Sequence, residues 1–251
     1  FNYKKLFELQ NNKSEEVTDD ANLFVRAGKK IKIIKGELTN NKITINSAAG
    51  SYFWKVRDSS DVDETVLDNL AYQARGILDG TSYPTGWIAW CNEVAATEVP
   101  GAKDFLNYAH SKGVTIFYVT NRVAELKNAT QQNLTKLGIP WDQSKDTILM
   151  RGENDWGSDK GSRRSLVSEE HRVLMLIGDN LGDFVDAKDN LVTPDQRKDM
   201  VQAYEEYWGT KWFMLQNTTY GDWEGALYNF DYSLSPDAVH ETRINSLQPS
   251  R

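Results

Sequence analysis

Between Val114 and Leu215 the sequence alternates strand-like apolar runs with helix-patterned stretches, which restricts this region to an α/β fold built on a parallel sheet. Val114-Thr-Ile-Phe-Tyr-Val119, Thr147-Ile-Leu-Met150, Val173-Leu-Met-Leu-Ile177 and Lys211-Trp-Phe-Met-Leu215 read as strands. Helices are predicted over residues 100–113, 124–137, 162–171 and 196–207. Pro100 suits a first helical turn, and Gly113, Gly138 and Pro140 act as stops. Residues 87–95 also carry apolar side chains at helical spacing. Parallel sheets are covered on both faces, and their active sites lie beyond the carboxyl ends of the strands. The polar residues just past each strand are therefore the candidates for chemistry.

The rest of the composition narrows the function by exclusion. The chain has 251 residues, long enough for a sizeable core, and a formal net charge of −7. That acidity argues against a nucleic-acid polymer as partner, because phosphate neutralisation needs clustered Lys and Arg. The single cysteine, Cys91, excludes an internal disulfide and a multi-cysteine zinc site. His110, His171 and His240 are too scattered for a metalloprotease helix. The longest clean apolar run has five residues, so no membrane-spanning helix is expected, and any signal peptide is expected to be absent or already removed. Residues 1–56 differ in character, being rich in Lys and Asn. Lys30-Ile-Lys-Ile-Ile-Lys35 and Lys42-Ile-Thr-Ile-Asn46, joined by residues 36–41, read as a β-hairpin; residues 1–20 read as a polar leader.

Four groups of polar residues stand out around the strands. Asp61-Val-Asp-Glu-Thr65 lies upstream, Thr120-Asn-Arg122 comes after Val119, Asp159-Lys-Gly-Ser-Arg-Arg164 opens a helix, and Gly178-Asp-Asn-Leu-Gly-Asp183 comes after Ile177. A hydroxyl, a lysine and two pairs of carboxylates suit phosphoryl transfer. One carboxylate can attack phosphorus, a second can move the proton, and a lysine can offset charge on the phosphoryl oxygens. The remaining acids can hold Mg²⁺, which prefers oxygen ligands. Each group alone is ordinary: Thr after a strand is commonly a cap, and Gly-Asp-Asn is a common turn.

Their order and spacing resemble the haloacid-dehalogenase superfamily, and within it the class C acid phosphatases, bacterial outer-membrane lipoproteins that hydrolyse 5′-nucleotides and other phosphomonoesters. The resemblance runs over about residues 61–230. It is carried by Asp61-Val-Asp-Glu-Thr-Val-Leu-Asp-Asn69 with Tyr72, Val99-Pro-Gly-Ala102, Phe105-Leu-Asn-Tyr108, Phe117-Tyr-Val-Thr-Asn-Arg122, Ile177-Gly-Asp-Asn-Leu-Gly-Asp-Phe184 and Tyr220-Gly-Asp-Trp-Glu-Gly225. It implies a three-layer α/β/α Rossmann-like core over residues 57–251, with a small cap at about 67–98. It further implies that Asp61 is the nucleophile forming an aspartyl-phosphate, and that Asp63 is the acid and then the base. Thr120 would hold phosphoryl oxygens with Asn121 nearby, and Lys160 would balance their charge. Mg²⁺ would be bound by the Asp61 carboxylate, the Asp63 carbonyl and Asp179, with Asp183 acting through water or through Lys160. Tyr72, Trp87 and Tyr220 would line the leaving-group pocket, with Trp90 as an alternative to Trp87. An acidic pH optimum is expected from the need for a protonated Asp63. By the same resemblance the substrate is a small phosphomonoester, the setting is the periplasm or outer membrane, and homodimers are an option. Membrane contact would run through a lipid anchor absent from this sequence.

One stretch departs from the family. An apolar strand should precede the nucleophile, yet the residues there are Lys55-Val-Arg-Asp-Ser-Ser60. Either Tyr52-Phe-Trp-Lys-Val56 serves as the strand with a polar extension, or the region has diverged and weakened catalysis, or the sequence ahead of residue 61 is unreliable. An enzyme and a catalytically impaired phosphate- or nucleotide-binding, surface or storage relative are thus both open. A response-regulator receiver also uses Asp, Thr and Lys around Mg²⁺, but lacks a second Asp two residues after the first.

Overall fold

The computed structural model describes residues 22–27, 30–39, 42–47, 50–51, 56–186 and 192–247. The chain divides into two compact units, Asn2–Lys55 and one formed chiefly by Val56–Arg251.

In the first unit four strands form an antiparallel sheet in sequential order: β1 (Asn22–Ala27), β2 (Lys30–Thr39), β3 (Lys42–Ser47) and β4 (Gly50–Ser51). The hairpin expected here is displaced. Residues 36–39, read as connection, are strand and pair with β3 from Gly36↔Ile45 to Thr39↔Lys42. Lys30–Lys35 pairs instead with β1. The alternation of Ile with polar residues marks the strands but does not fix which neighbour each half of a ten-residue strand meets. The expected leader at residues 1–20 lies outside the described residues.

The second unit is built on a five-stranded parallel sheet. Its strands are β5 (Val56–Ser60), β8 (Thr115–Val123), β9 (Ile148–Arg151), β10 (Arg172–Gly178) and β11 (Trp212–Met214), in the spatial order β11-β10-β5-β8-β9. The apolar runs at 114–119 and 173–177 flank the centre, as near-continuous apolar runs in a covered parallel sheet should. The central strand itself is the polar segment: β5 pairs with β10 from Val56 to Ser60 and with β8 from Arg57 to Ser60. Tyr52-Phe-Trp-Lys55, the apolar lead-in offered for this strand, lies outside the described residues.

Helices connect the strands. After β7 (Thr97–Glu98), α3 (Ala102–Ser111) buries Ala102, Phe105, Leu106 and Ala109, the i, i+3, i+4, i+7 stripe of a one-sided helix. Gly113 comes next with φ +79°, a left-handed backbone that a side chain would strain. The 124–137 helix is a 3₁₀ turn leading into α4 (Lys127–Leu137), and α5 (Gly161–Glu170) leads into β10. The 196–207 helix divides into α6 (Pro194–Ala203), capped by Thr193, and a 3₁₀ turn at Glu205–Tyr207. Two short helices, α7 (Asp222–Leu227) and α8 (Pro236–Asn245), end the described chain.

Between β5 and α3 lies an inserted segment. β6 (Leu67–Asp68) pairs antiparallel with β7, so the segment leaves and rejoins the core at one point. It carries α1 (Leu70–Asp79) and α2 (Trp87–Asn92). The helical pattern at 87–95 thus ends three residues early; Val94 takes φ +53° and closes the turn. Among the described residues no helix is long and apolar enough to cross a membrane.

Candidate active site

Three adjacent strands end together and deliver the candidate side chains. Asp61 comes directly after β5, Thr120 lies near the end of β8, and Asp179 comes directly after β10. The Asp61 N–H still donates to the Ile177 carbonyl at 2.9 Å, which ties the first carboxylate to the neighbouring strand.

Lys160 is the centre of the charge arrangement. It sits at the start of α5, buried, with its ammonium 2.6 Å from Asp61 Oδ1 and 2.6 Å from Asp183 Oδ1. Asp183 is fixed on its other side by the Asn180 N–H, which donates to Oδ2 at 2.8 Å. Gly178 makes room for it, since a Cβ there would lie 2.4 Å from Asp183 Oδ2. Burial alone would lower the Lys160 pKa, but the Asp183 and Asp61 charges outweigh it and push the pKa upward.

Asp61, Asp179 and Asp183 each offer a carboxylate oxygen, all within 4.8 Å of one another. Asp179 accepts from Thr65 Oγ1 at 3.2 Å and from Asn217 Nδ2 at 2.9 Å. Burial raises the Asp61 pKa well above the ordinary carboxylate range; Lys160 opposes this, and Asp183, Asp179 and Asp63 reinforce it. Burial and the Asp183 charge push Asp179 up to about 7. Three crowded acids thus share one ammonium. That deficit, and an all-oxygen donor set, fit a hard divalent cation. The Asp63 carboxylate is not in this group.

Asp63 instead faces Arg122. The guanidinium donates to both carboxylate oxygens, Nη2 to Oδ1 at 2.7 Å and Nε to Oδ1 and Oδ2 at 3.0 and 3.2 Å. Asn69 Nδ2 adds a bond to Oδ1 at 2.9 Å. Between Asp63 and Leu67 the chain makes a tight turn, with Glu64 at φ +55°. The Glu64 carboxylate accepts a hydrogen bond from the Tyr220 hydroxyl. Burial and the Asp63 charge push Glu64 up to about 8.

Thr120 is fully buried, and its Oγ1 accepts from the Arg122 N–H at 3.1 Å, so its own hydroxyl proton is available to an oxyanion. The β8–β9 register shifts between Thr120 and Val123, and Arg163 Nη1 donates to the Thr120 carbonyl at 2.5 Å. Arg163 Nη2 also holds the Asn121 side-chain oxygen at 2.8 Å. Asn121 is therefore engaged from below by a buried arginine.

The aromatic candidates separate by exposure. Tyr72 is buried, and its hydroxyl donates to the Thr85 carbonyl at 3.0 Å. It meets the half-buried Trp87 edge-on at 5.1 Å, and Tyr83 meets the Trp87 ring at 6.0 Å. Trp90, the alternative to Trp87, is buried and donates its indole N–H to Asn69 Oδ1 at 2.8 Å. Of the four candidates, Trp87 and Tyr220 are thus the accessible rings, and Tyr72 packs against both Trp87 and Trp90. The sequence pattern assigns no site role to Arg122, Asn69 or Glu64, and none to Trp90 beyond that alternative. Arg122 and Glu64 stand inside the motifs, but their partners are distant in the chain.

The family described as HAD superfamily, subfamily IIIB (acid phosphatase) matches residues 31–223. The class C acid phosphatase from Bacillus anthracis is 35% identical, over 80% of this chain and 82% of that one, with a TM-score of 0.71. The structure of that enzyme with tungstate bound aligns over the same shares at 36% identity and a TM-score of 0.71. A different likeness covers 47 residues, 19% of this chain, which are 98% identical to a "Bifunctional enzyme IspD/IspF" of Pelagibacter ubique; this chain spans only 13% of that enzyme's length.

Proposed function

Because the chain belongs to the subfamily IIIB acid phosphatases of the haloacid-dehalogenase superfamily, we propose that it hydrolyses small phosphomonoesters, 5′-nucleotides among them, through an Asp61-phosphate. The observation that carries this reading is the Lys160 ammonium lying 2.6 Å from both Asp61 and Asp183, beside Asp179 and at the ends of the central strands. Tungstate, bound by the Bacillus anthracis enzyme, is a tetrahedral oxyanion like phosphate, which supports an oxyanion-sized site.

Asp61 attacks phosphorus, and the bond to the leaving oxygen breaks as Asp63 hands that oxygen a proton. Water then attacks the phosphorus of the acyl phosphate, its proton returns to Asp63, and inorganic phosphate leaves Asp61 free. The Thr120 hydroxyl and the Lys160 ammonium stabilise charge on the phosphoryl oxygens. Lys160 also opposes the upward push of burial on the Asp61 pKa. Asp61, Asp179 and Asp183, with the Asp63 carbonyl, are the residues that would hold Mg²⁺. Once bound, that cation would supply charge neutralisation at the transferring group. Trp87 and Tyr220 are the rings offered to a nucleoside or aryl group, and stacking of this kind is worth ~1–3 kcal/mol per base. The family resemblance supports an extracytoplasmic location.

The test is turnover of 4-nitrophenyl phosphate and a 5′-nucleotide at pH 5–6, with and without Mg²⁺, beside Asp61→Asn. Metal-dependent turnover that the variant lacks supports the reading. A folded, metal-loaded protein without turnover would refute it and favour a phosphate-binding role.

A further inference from the structure

We propose that Arg122 is a positioning residue that holds Asp63 for proton transfer, and that the segment bearing Trp87 and Trp90 braces it. This rests on the reading of Asp63 as the acid that protonates the leaving group.

The geometry is that of a clamp closed from two sides. Arg122 presents Nε and Nη2 to the Asp63 carboxylate, and its remaining nitrogen, Nη1, donates to Thr130 Oγ1 at 3.2 Å. Thr130 is on α4 and fully buried, so the planar guanidinium is fixed at both ends. From a second element of the chain Asn69 Nδ2 also reaches Oδ1, and the Trp90 indole N–H fixes the Asn69 amide. The Trp87 ring lies with its centroid 5.5 Å from the Arg122 guanidinium carbon. Asn69, Trp90 and Arg122 are all buried, so these bonds face little competition from water.

The two carboxylate oxygens are used unequally. Oδ1 accepts from Asn69 and twice from Arg122, whereas Oδ2 accepts a single longer bond from Arg122 Nε. Oδ2 is therefore the oxygen that exchanges the proton with the leaving group, and the clamp sets where it points. An ammonium would keep the charge of Arg122 but lose the fork that fixes the carboxylate plane.

The leaving group separates positioning from mere structural support. A nucleoside 5′-alkoxide needs the proton, while 4-nitrophenolate departs nearly as well without it. Arg122→Lys should lower kcat/KM for a 5′-nucleotide by roughly 10²-fold, the usual scale of general-acid catalysis, while the loss for 4-nitrophenyl phosphate stays within about threefold. In an Asp63→Asn background the same change should add no further discrimination between the substrates. Equal losses on both substrates in the single variant, or added discrimination in the double variant, would overturn the clamp. If Arg122→Lys does not fold, Trp90→Phe carries the test: it deletes the N–H that fixes Asn69 and should cost the nucleotide several-fold more than the aryl ester, by loss of one buried hydrogen bond. No selective loss there overturns the proposal. Wild-type protein that turns over neither substrate overturns the phosphatase reading and the clamp together, whereas an active wild type with unselective variants overturns only the clamp.

Discussion

Replacing Lys160 by Met removes the one ammonium shared by two carboxylates, and the geometry sets the cost. Asp61 and Asp183 each lie 2.6 Å from that ammonium, and their side chains are only 12% and 7% exposed. Removing one member of a buried ion pair typically costs 3–5 kcal/mol, because the partner charge is left uncompensated. With two partners stranded, ~4 kcal/mol is expected at pH 8 in the presence of EDTA. The loss depends on pH, and the sign comes from Asp61, whose pKa burial already raises even with Lys160 present. Without the ammonium, the folded state keeps a proton that the unfolded chain has released above the ordinary carboxylate range. The variant is therefore most stable at low pH, and loses that stability as pH rises through the raised pKa. Each pH unit of such protection is worth ~1.4 kcal/mol, so the deficit at pH 5 should be visibly smaller than at pH 8. Urea unfolding monitored by fluorescence measures this directly, since the chain has 8 Trp. Millimolar Mg²⁺ should recover part of the deficit by returning positive charge to the cluster. A deficit under ~1 kcal/mol at pH 8, or one that grows on acidification, would refute the reasoning.

Three other measurements test separate parts of the site. Gly178→Ala should cost ~1–3 kcal/mol and weaken metal binding by roughly tenfold, because the new Cβ would lie 2.4 Å from Asp183 Oδ2 and Lys160 and the Asn180 N–H prevent an easy retreat; isothermal titration with an unchanged metal affinity would contradict this. Metal uptake should release protons at pH 6 but few at pH 8, since Asp179 is pushed up to about 7 in the metal-free protein and must ionise to bind; titration in two buffers of different ionisation enthalpy gives the number. Cys91 is buried and its thiol is pushed up to about 12, so a thiol reagent at pH 8 should react only after urea unfolding; rapid reaction of the native protein would show that α2 opens.

The sheet and its ends are legible in the sequence because both arise from local pattern. Covered parallel strands such as β8 and β10 read as near-continuous apolar runs, and the residues just past those runs face the cleft, so Thr120 and Asp179 can be found by position alone. Other parts of the site depend on pairings across the fold. Arg122 meets a carboxylate 59 positions away, and Glu64 meets a hydroxyl 156 positions away; neither spacing leaves a trace in a one-dimensional pattern. Helix α1 is hidden for a different reason. It buries only Tyr72 and leaves Leu70, Ile77 and Leu78 exposed, so no stripe marks an inner face.

The polar strand ahead of Asp61 shows how far pattern can mislead even where the fold obeys it. A central parallel strand is identified by its own apolar run only when that run is the element that holds it. β5 is instead held by backbone pairing to β10 and β8, whose apolar side chains supply the core on either side. The residues on its carboxyl side hold it too: Val62, Val66 and Leu67 are fully or nearly fully buried, and both Val66 and Leu67 donate to the Val62 carbonyl. The anchor for Asp61, the proposed nucleophile, therefore lies after it as much as before it. That is why Asp61 stands at the strand end beside Lys160 although the expected apolar lead-in is missing.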